Sequence, residues 1–324
     1  MLLAGDLGGT RTRLGLFERG RGRPTLRATC SYETASFATL SDVFDAFSRD
    51  VQQSAGIDAA AIGVAGPVMH DHAQLTNANW YIGADEIRAR LGTTRVRLLN
   101  DLEAMAYAVE LLTPEEVAVL QEGEPDPDGG AALIAAGTGL GQSYLRRVEG
   151  KLLPAPSEAG HADFAARSDR EMALVRMLRD EHGRASVEHV LSGRGLVNLH
   201  RFTHRGGECS VVDDLSATEA PAAVSRAGLG GRCQGCAEAL RMFVSAYGAE
   251  AGNLALRGLA LSGLYIGGGI APKILPALSS GLFMDAFLAK APMTDLLSKV
   301  PVKVILNADA GLVGAALCAQ ELTT

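Results

Sequence analysis

A glycine turn set between two strands constrains this chain more than any other feature of its sequence. Leu2 to Ala4 is a short apolar strand, and the turn Gly5-Asp6-Leu7-Gly8-Gly9-Thr10 follows it. Beyond the turn Thr12, Leu14 and Leu16 alternate with Arg11, Arg13 and Gly15, the period of two that marks an outgoing strand. A dinucleotide-binding turn would open a helix there, with its N-terminus facing the pyrophosphate. The chain starts with a hairpin, so a Rossmann opening is excluded.

The same design returns downstream. Ala131 to Ala135 reads as a buried strand, Gly137-Thr138-Gly139-Leu140-Gly141 as a turn and Gln142 to Arg146 as the strand leaving it. A third glycine turn, Gly267-Gly268-Gly269, follows the apolar run Leu259 to Ile266, and Pro272 is placed to open a helix. Two strand–turn–strand units predict an internal duplication, each copy heading one lobe.

Helical and strand patterns alternate between these turns, which makes the class α/β. Leu40 to Gln53 and Leu102 to Leu112 carry apolar residues at helical spacing, and so does the stripe Leu240, Phe243, Val244, Tyr247, Ala251, Leu254. Ala60 to Ala65, Arg95 to Leu99 and Val302 to Leu306 read as strands, and Gly311 to Ala319 as a closing helix. The polar stretch from Gln121 to Gly130 suits a lobe boundary or a hairpin tip.

Composition narrows the function. Length alone makes two lobes the expectation for 324 residues, and 47% hydrophobic residues supply their cores. With 37 acidic against 30 basic residues, the net charge of -7 argues against a nucleic-acid partner. Asp6 interrupts any apolar run a signal peptide would need, and Arg257 with nearby glycines breaks the most apolar long stretch, which argues against a membrane span. Five scattered cysteines fit reduced thiols in the cytoplasm.

Several residues could carry chemistry. Glycine turns let backbone amides approach phosphate oxygens, and Thr10 and Thr138 would each add a hydroxyl. Asp6 could hold magnesium through water, in keeping with that ion's hydration. Asn100-Asp101 falls between a strand and a helix, where Asp101 either takes a proton from a hydroxyl or caps the helix. Glu158-Ala159-Gly160-His161 and Glu188 offer acceptors suited to a polyhydroxylated substrate, although each alone is also an ordinary surface group. Cys233-Gln234-Gly235-Cys236 has no second cysteine pair or histidine close in sequence, so it reads as a thiol pair without zinc.

Taken in order, these motifs carry a resemblance. The turn Gly5 to Thr10, Gly66-Pro67-Val68, Thr76-Asn77 with Trp80, and Leu99-Asn100-Asp101 are followed by Gly137 to Gly141, Glu158 to Phe164, Glu188 to Gly193 and Asp309 to Gly314. The set resembles bacterial glucokinases of the proteobacterial type, in the hexokinase, actin and heat-shock-70 superfamily. The resemblance implies a two-lobed actin-like ATPase (ribonuclease H-like) fold with an interdomain cleft. Residues 1–110 with 302–324 would form a small α/β domain and 111–301 a large α+β domain. It implies phosphate transfer from ATP, with Mg2+, to the 6-hydroxyl of glucose, Asp101 acting as the base. Asn100, Glu158, His161 and Glu188 would then hold the sugar hydroxyls. Gly5, Asp6, Leu7, Gly8, Gly9, Thr10, Gly137, Thr138 and Gly268 would lie on the phosphate side. A homodimer is implied too. Arg11 departs from the Asn or Lys common at its position, and Ala162 to Arg179 lacks the cysteine cluster of the related zinc-bearing repressor-and-kinase group. A kinase of another hexose on the same fold, or a nucleotide-gated sugar-binding protein without catalysis, are the alternative readings.

Overall fold

The hairpin expected at the start of the chain is present, its strands longer than the sequence pattern suggested. In the computed structural model, which describes residues 1–52, 56–75, 78–204, 207, 209, 211–212 and 214–323, β1 (Leu2–Leu7) pairs antiparallel with β2 (Arg11–Glu18). Gly5, Asp6 and Leu7 are therefore strand residues, and the turn proper begins at Gly8. β3 (Thr25–Glu33), α1 (Leu40–Asp50), β4 (Ala59–Val64), the small meander β5 (Val68–Met69), β6 (His72–Leu75) and β7 (Trp80–Gly83), α2 (Ala84–Leu91), β8 (Val96–Asn100) and α3 (Asp101–Tyr107) follow. Thr39 and Asp42 form a reciprocal capping box at the start of α1. Gln53, Thr76 and Asn77 lie outside the described residues.

The chain divides into two compact units, Met1–Pro114 with Asn307–Thr324, and Glu115–Leu306. The second holds β9 (Val117–Gln121), β10 (Ala131–Ala136), β11 (Leu140–Val148), β12 (Lys151–Ser157), α4 (Asp169–His182), α5 (Gly193–His204), α6 (Ala220–Leu229) and α7 (Gln234–Gly258). β13 (Gly263–Gly267), α8 (Leu275–Leu278), α9 (Leu282–Leu288), α10 (Thr294–Leu297) and β14 (Val302–Ile305) complete it. The last helix, α11 (Ala310–Glu321), returns to the first unit and packs on α3, β1 and β4.

One sheet runs β3-β2-β1-β4-β8 and the other β12-β11-β10-β13-β14-β9. Each contains an antiparallel hairpin with a third strand on its outer side and two parallel strands on its inner side, and the second sheet adds β9 antiparallel to β14 at its edge. This repeated order is the form the internal duplication takes. Every residue of β4 is buried, as a parallel strand covered on both faces must be.

Some boundaries differ from expectation for identifiable reasons. β14 pairs with β13 and β9, so residues 302–306 belong to the second unit and the division falls after Leu306. The polar segment 121–130 lies inside that unit and links β9 to β10. The first part of the Leu259 to Ile266 run is no strand, because α7 extends to Gly258 and Leu259 caps it with a φ of 43°. A short apolar run cannot be told from the end of a buried helix by periodicity. Likewise α3 stops at Tyr107, and a 3-10 turn over Val109–Leu111 replaces its expected last turn.

Candidate active site

In the first unit, strand register brings the acidic candidates to one edge. Asp6 pairs with Gly63 between β1 and β4, and Asn100 pairs with Val64 between β4 and β8. All three strands are parallel, so Asp6 and Asn100-Asp101 share the carboxyl edge of the sheet, where open α/β sheets bind ligands. The helix cap is Asn100, whose Oδ1 accepts from the Leu102 amide at 2.8 Å and the Glu103 amide at 3.4 Å. Its Nδ2 donates to the Gly66 carbonyl at 3.1 Å and ties this corner to the Gly66-Pro67 turn. Asp101 is the first helical residue, is exposed, and accepts from the Leu102 amide at 2.8 Å. The choice between base and cap narrows, because Asn100 does the capping.

The first glycine turn is pinned by residues that the sequence pattern did not single out. Thr34 Oγ1 donates to the Gly8 carbonyl at 2.9 Å and shares a buried hydrogen bond with Thr12 Oγ1 at 3.1 Å. Arg13 spans Asp6 Oδ2 at 3.1 Å and Asp309 Oδ1 at 2.5 Å. Burial pushes the Asp6 carboxyl above the usual carboxylate range, against the pull of Arg13. Arg13 holds Asp6 Oδ2, and Oδ1 has no protein partner among the described residues.

The second unit repeats the turn. Gly137 N donates to the Gly139 carbonyl and Gly193 N to the Gly137 carbonyl, both at 2.8 Å. Among the described residues the amides of Thr138 and Gly139 donate to no protein acceptor, and the amides of Gly9 and Thr10 are in the same condition in the first turn. Two consecutive unclaimed amides at each turn are a cradle for an anionic oxygen. The third turn packs beneath: Gly268 has a φ of 84°, and a Cβ there would lie 2.3 Å from the Ala136 carbonyl oxygen at the end of β10.

The fold also gathers Glu158, His161 and Glu188. The Glu188 amide donates to the Gly160 carbonyl at 2.9 Å, and the Glu188 carboxylate accepts from the Leu140 amide at 2.9 Å. That carboxylate is mostly enclosed, 15% exposed, whereas the side chains of Glu158 and His161 stand open 3.9 Å apart. A Cβ at Gly139 would sit 2.6 Å from Glu188 Oε2, so any larger residue there shifts that carboxylate.

Beside the second turn lies a cavity of about 710 Å³ that also takes in Gly269. Leu196, Val197, Pro221, Ala222 and Ile270 form an apolar wall, and Arg194 and Lys273 add positive charge. A flat apolar base with a trailing polyanion suits such a lining. Sequence reasoning missed this cavity because, apart from the glycine turns, its lining comes from α4, α5, α6 and the segments between them, which carry no local motif. The cysteine reading is also corrected. Cys209 and His204, distant in sequence, stand beside Cys233 and Cys236.

Comparison with known proteins agrees with this architecture. The glucokinase family profile matches residues 3–322. The glucokinase of Nostoc punctiforme is 38% identical over 99% of both chains, and that of Erwinia tasmaniensis is 35% identical over 97% of this chain and 95% of its own. Among solved structures, a glucokinase from an Antarctic psychrotroph superposes with a TM-score of 0.88 at 29% identity, covering 99% of this chain and 98% of that one. A glucokinase of the repressor-and-kinase (ROK) family from Streptomyces griseus, solved with glucose and AMPPNP, shares the fold at a TM-score of 0.67 and 21% identity, over 99% of both chains. With its actin-like ATPase fold and a family match running nearly end to end, the chain belongs to the glucokinase family.

Proposed function

We propose that this protein transfers the γ-phosphoryl group of ATP to the 6-hydroxyl of glucose, with Asp101 as the general base. The observation that supports this best, beside the family, is Asp101 itself. It is exposed at a helix N-terminus on the carboxyl edge of a parallel sheet, with the capping role taken by Asn100. The Asp101 carboxylate orients the hydroxyl and accepts its proton as the oxygen bonds to the γ-phosphorus and ADP leaves. Asn100, Glu158, His161 and Glu188 hold the remaining hydroxyls, Glu188 from a carboxylate already fixed by the Leu140 amide. The unclaimed amides of Gly9-Thr10 and Thr138-Gly139 take phosphate oxygens, with Gly268 supporting the second turn from below. The apolar cavity beside Gly137 takes the nucleoside. Magnesium, when bound, offsets phosphate charge, and Asp6 is the residue that would hold it through water.

No described helix is long and apolar enough to cross a membrane, and the five cysteines are free thiols, as a reducing compartment would keep them. The reading places the enzyme in the cytoplasm as a homodimer, the assembly to be checked by sedimentation.

The test is ADP release with Mg-ATP across glucose, mannose, fructose, N-acetylglucosamine and a no-sugar control. Turnover on glucose, reduced about a hundredfold or more in kcat by Asp101→Asn with glucose affinity kept, is expected. Turnover confined to another hexose would move the substrate. ADP release indifferent to sugar would replace the kinase by a nucleotide-gated binding protein, and near-normal turnover in Asp101→Asn would remove the base.

A further inference from the structure

The second unit contains a cluster of soft donors that phosphoryl transfer does not use. His200 and His204 stand four residues apart on α5, so they share a helix face, and their rings stack with centroids 3.8 Å apart. Cys233 caps α7 and Cys236 lies in its first turn. Cys209, from the segment after α5, reaches both: its Sγ is 3.8 Å from that of Cys233 and 3.8 Å from that of Cys236. His204 Nε2 stands 3.2 Å from Cys233 Sγ. Ligand atoms of His200, His204, Cys209 and Cys236 all lie within 4.8 Å of one another.

Three details distinguish this from ordinary packing. Thiolates bound at about 2.3 Å to one tetrahedral ion stand about 3.8 Å apart, the spacing seen here and far beyond a disulfide bond. His204 Nδ1 lies 2.8 Å from the His200 carbonyl, an N–H donation that leaves the Nε2 lone pair facing the sulfurs. A backbone acceptor on the remote nitrogen is the usual support of a metal-bound histidine. Both ring nitrogens of His200 are buried without a hydrogen-bond partner, which costs stability unless something accepts a lone pair there. Gly235 completes the enclosure, because a Cβ at that position would lie 2.7 Å from His204 Nε2.

We propose that His200, His204, Cys209 and Cys236 form a structural site for one tetrahedral zinc ion that joins α5 to α7. Cys233, whose Sγ accepts from the Cys236 amide, borders the site. A set of two thiolates and two imidazoles leaves no open position, so the role is structural. The site is independent of the kinase assignment and lies outside the 162–179 stretch.

The test uses the full chain without a histidine tag, expressed with added zinc. Elemental analysis should find about one zinc per chain, and chelation should lower Tm by several degrees. Cobalt loading should give intense tetrahedral d–d bands with thiolate charge transfer. Cys209→Ser and His204→Gln should lower zinc content at least tenfold, whereas Cys30→Ser in β3 should leave it unchanged. If the variants do not fold, the cobalt spectrum of the parent chain still decides. A folded parent chain that carries no zinc and takes up no cobalt, or that isolates with a Cys233–Cys236 disulfide, would overturn the proposal. Sugar-dependent turnover is read separately, so failure of one reading leaves the other standing.

Discussion

Gly139→Ala should displace the Glu188 carboxylate through a single methyl group. The new Cβ would lie 2.6 Å from Glu188 Oε2 and 3.3 Å from its Cδ, so the carboxylate must move. Moving it breaks the 2.9 Å hydrogen bond from the Leu140 amide. A hydrogen bond to a charged group contributes about 1.5–3 kcal/mol. Because the displaced carboxylate can turn partly toward water, the lower figure applies to stability, about 1.5 kcal/mol. For 324 residues the unfolding entropy is about 0.7 kcal/mol/K, so Tm falls by about 2 °C. The functional cost is larger. If Glu188 holds a sugar hydroxyl, losing that charged contact raises the KM for glucose about tenfold to a hundredfold. Coupled ADP release gives KM and kcat, and calorimetry on the same samples gives Tm. A lowered Tm with the parent's KM would show that Glu188 only supports the turn. Parent values for both would refute the clash itself. Glu188→Gln, which keeps an acceptor for the Leu140 amide without the charge, should retain more stability than Gly139→Ala while still raising KM.

Three further outcomes follow from the structure. Ala222→Trp fills the cavity beside Gly137 and should raise the KM for ATP at least about tenfold with the KM for glucose unchanged; equal effects on both would mean the cavity is not the nucleoside pocket. Tyr247→Phe removes a fully buried hydroxyl that accepts from the Ala136 amide at 3.2 Å, at the end of the strand leading into the second turn, and should cost about 1–3 kcal/mol, read as a Tm lower by about 2–4 °C. His189 accepts from the Ser186 amide on Nδ1, and burial, with neighbouring His182, holds its pKa below the ordinary 6.5. The unfolded chain therefore takes up that proton first, so stability is full above pH 6.5 and falls as pH drops below it, a slope that denaturant titrations should find flattened in His189→Gln.

Local sequence determined the parts of this protein that depend on short-range periodicity and turn chemistry. Alternation after Gly8-Gly9 produces a hairpin instead of a helix, and the same pattern around Gly137 produces its repeat, which is why the duplicated sheet order was legible. The position of Asp101 between strand and helix was legible for the same reason. Its role was not, because a cap and a base occupy the same kind of position; what the structure adds is that Asn100 accepts from the Leu102 and Glu103 amides. Tertiary structure alone decided what depends on contacts between distant residues. β14 joined the second unit because its hydrogen-bond partners are β13 and β9, and its apolar pattern would have suited either sheet. Arg13 met Asp309 across nearly the whole chain, and Thr34 reached back to Gly8. Cys209 and His204 came to the cysteine pair because α5 and α7 pack together. Periodicity reports which face of an element is buried, and only packing reports which other element it meets.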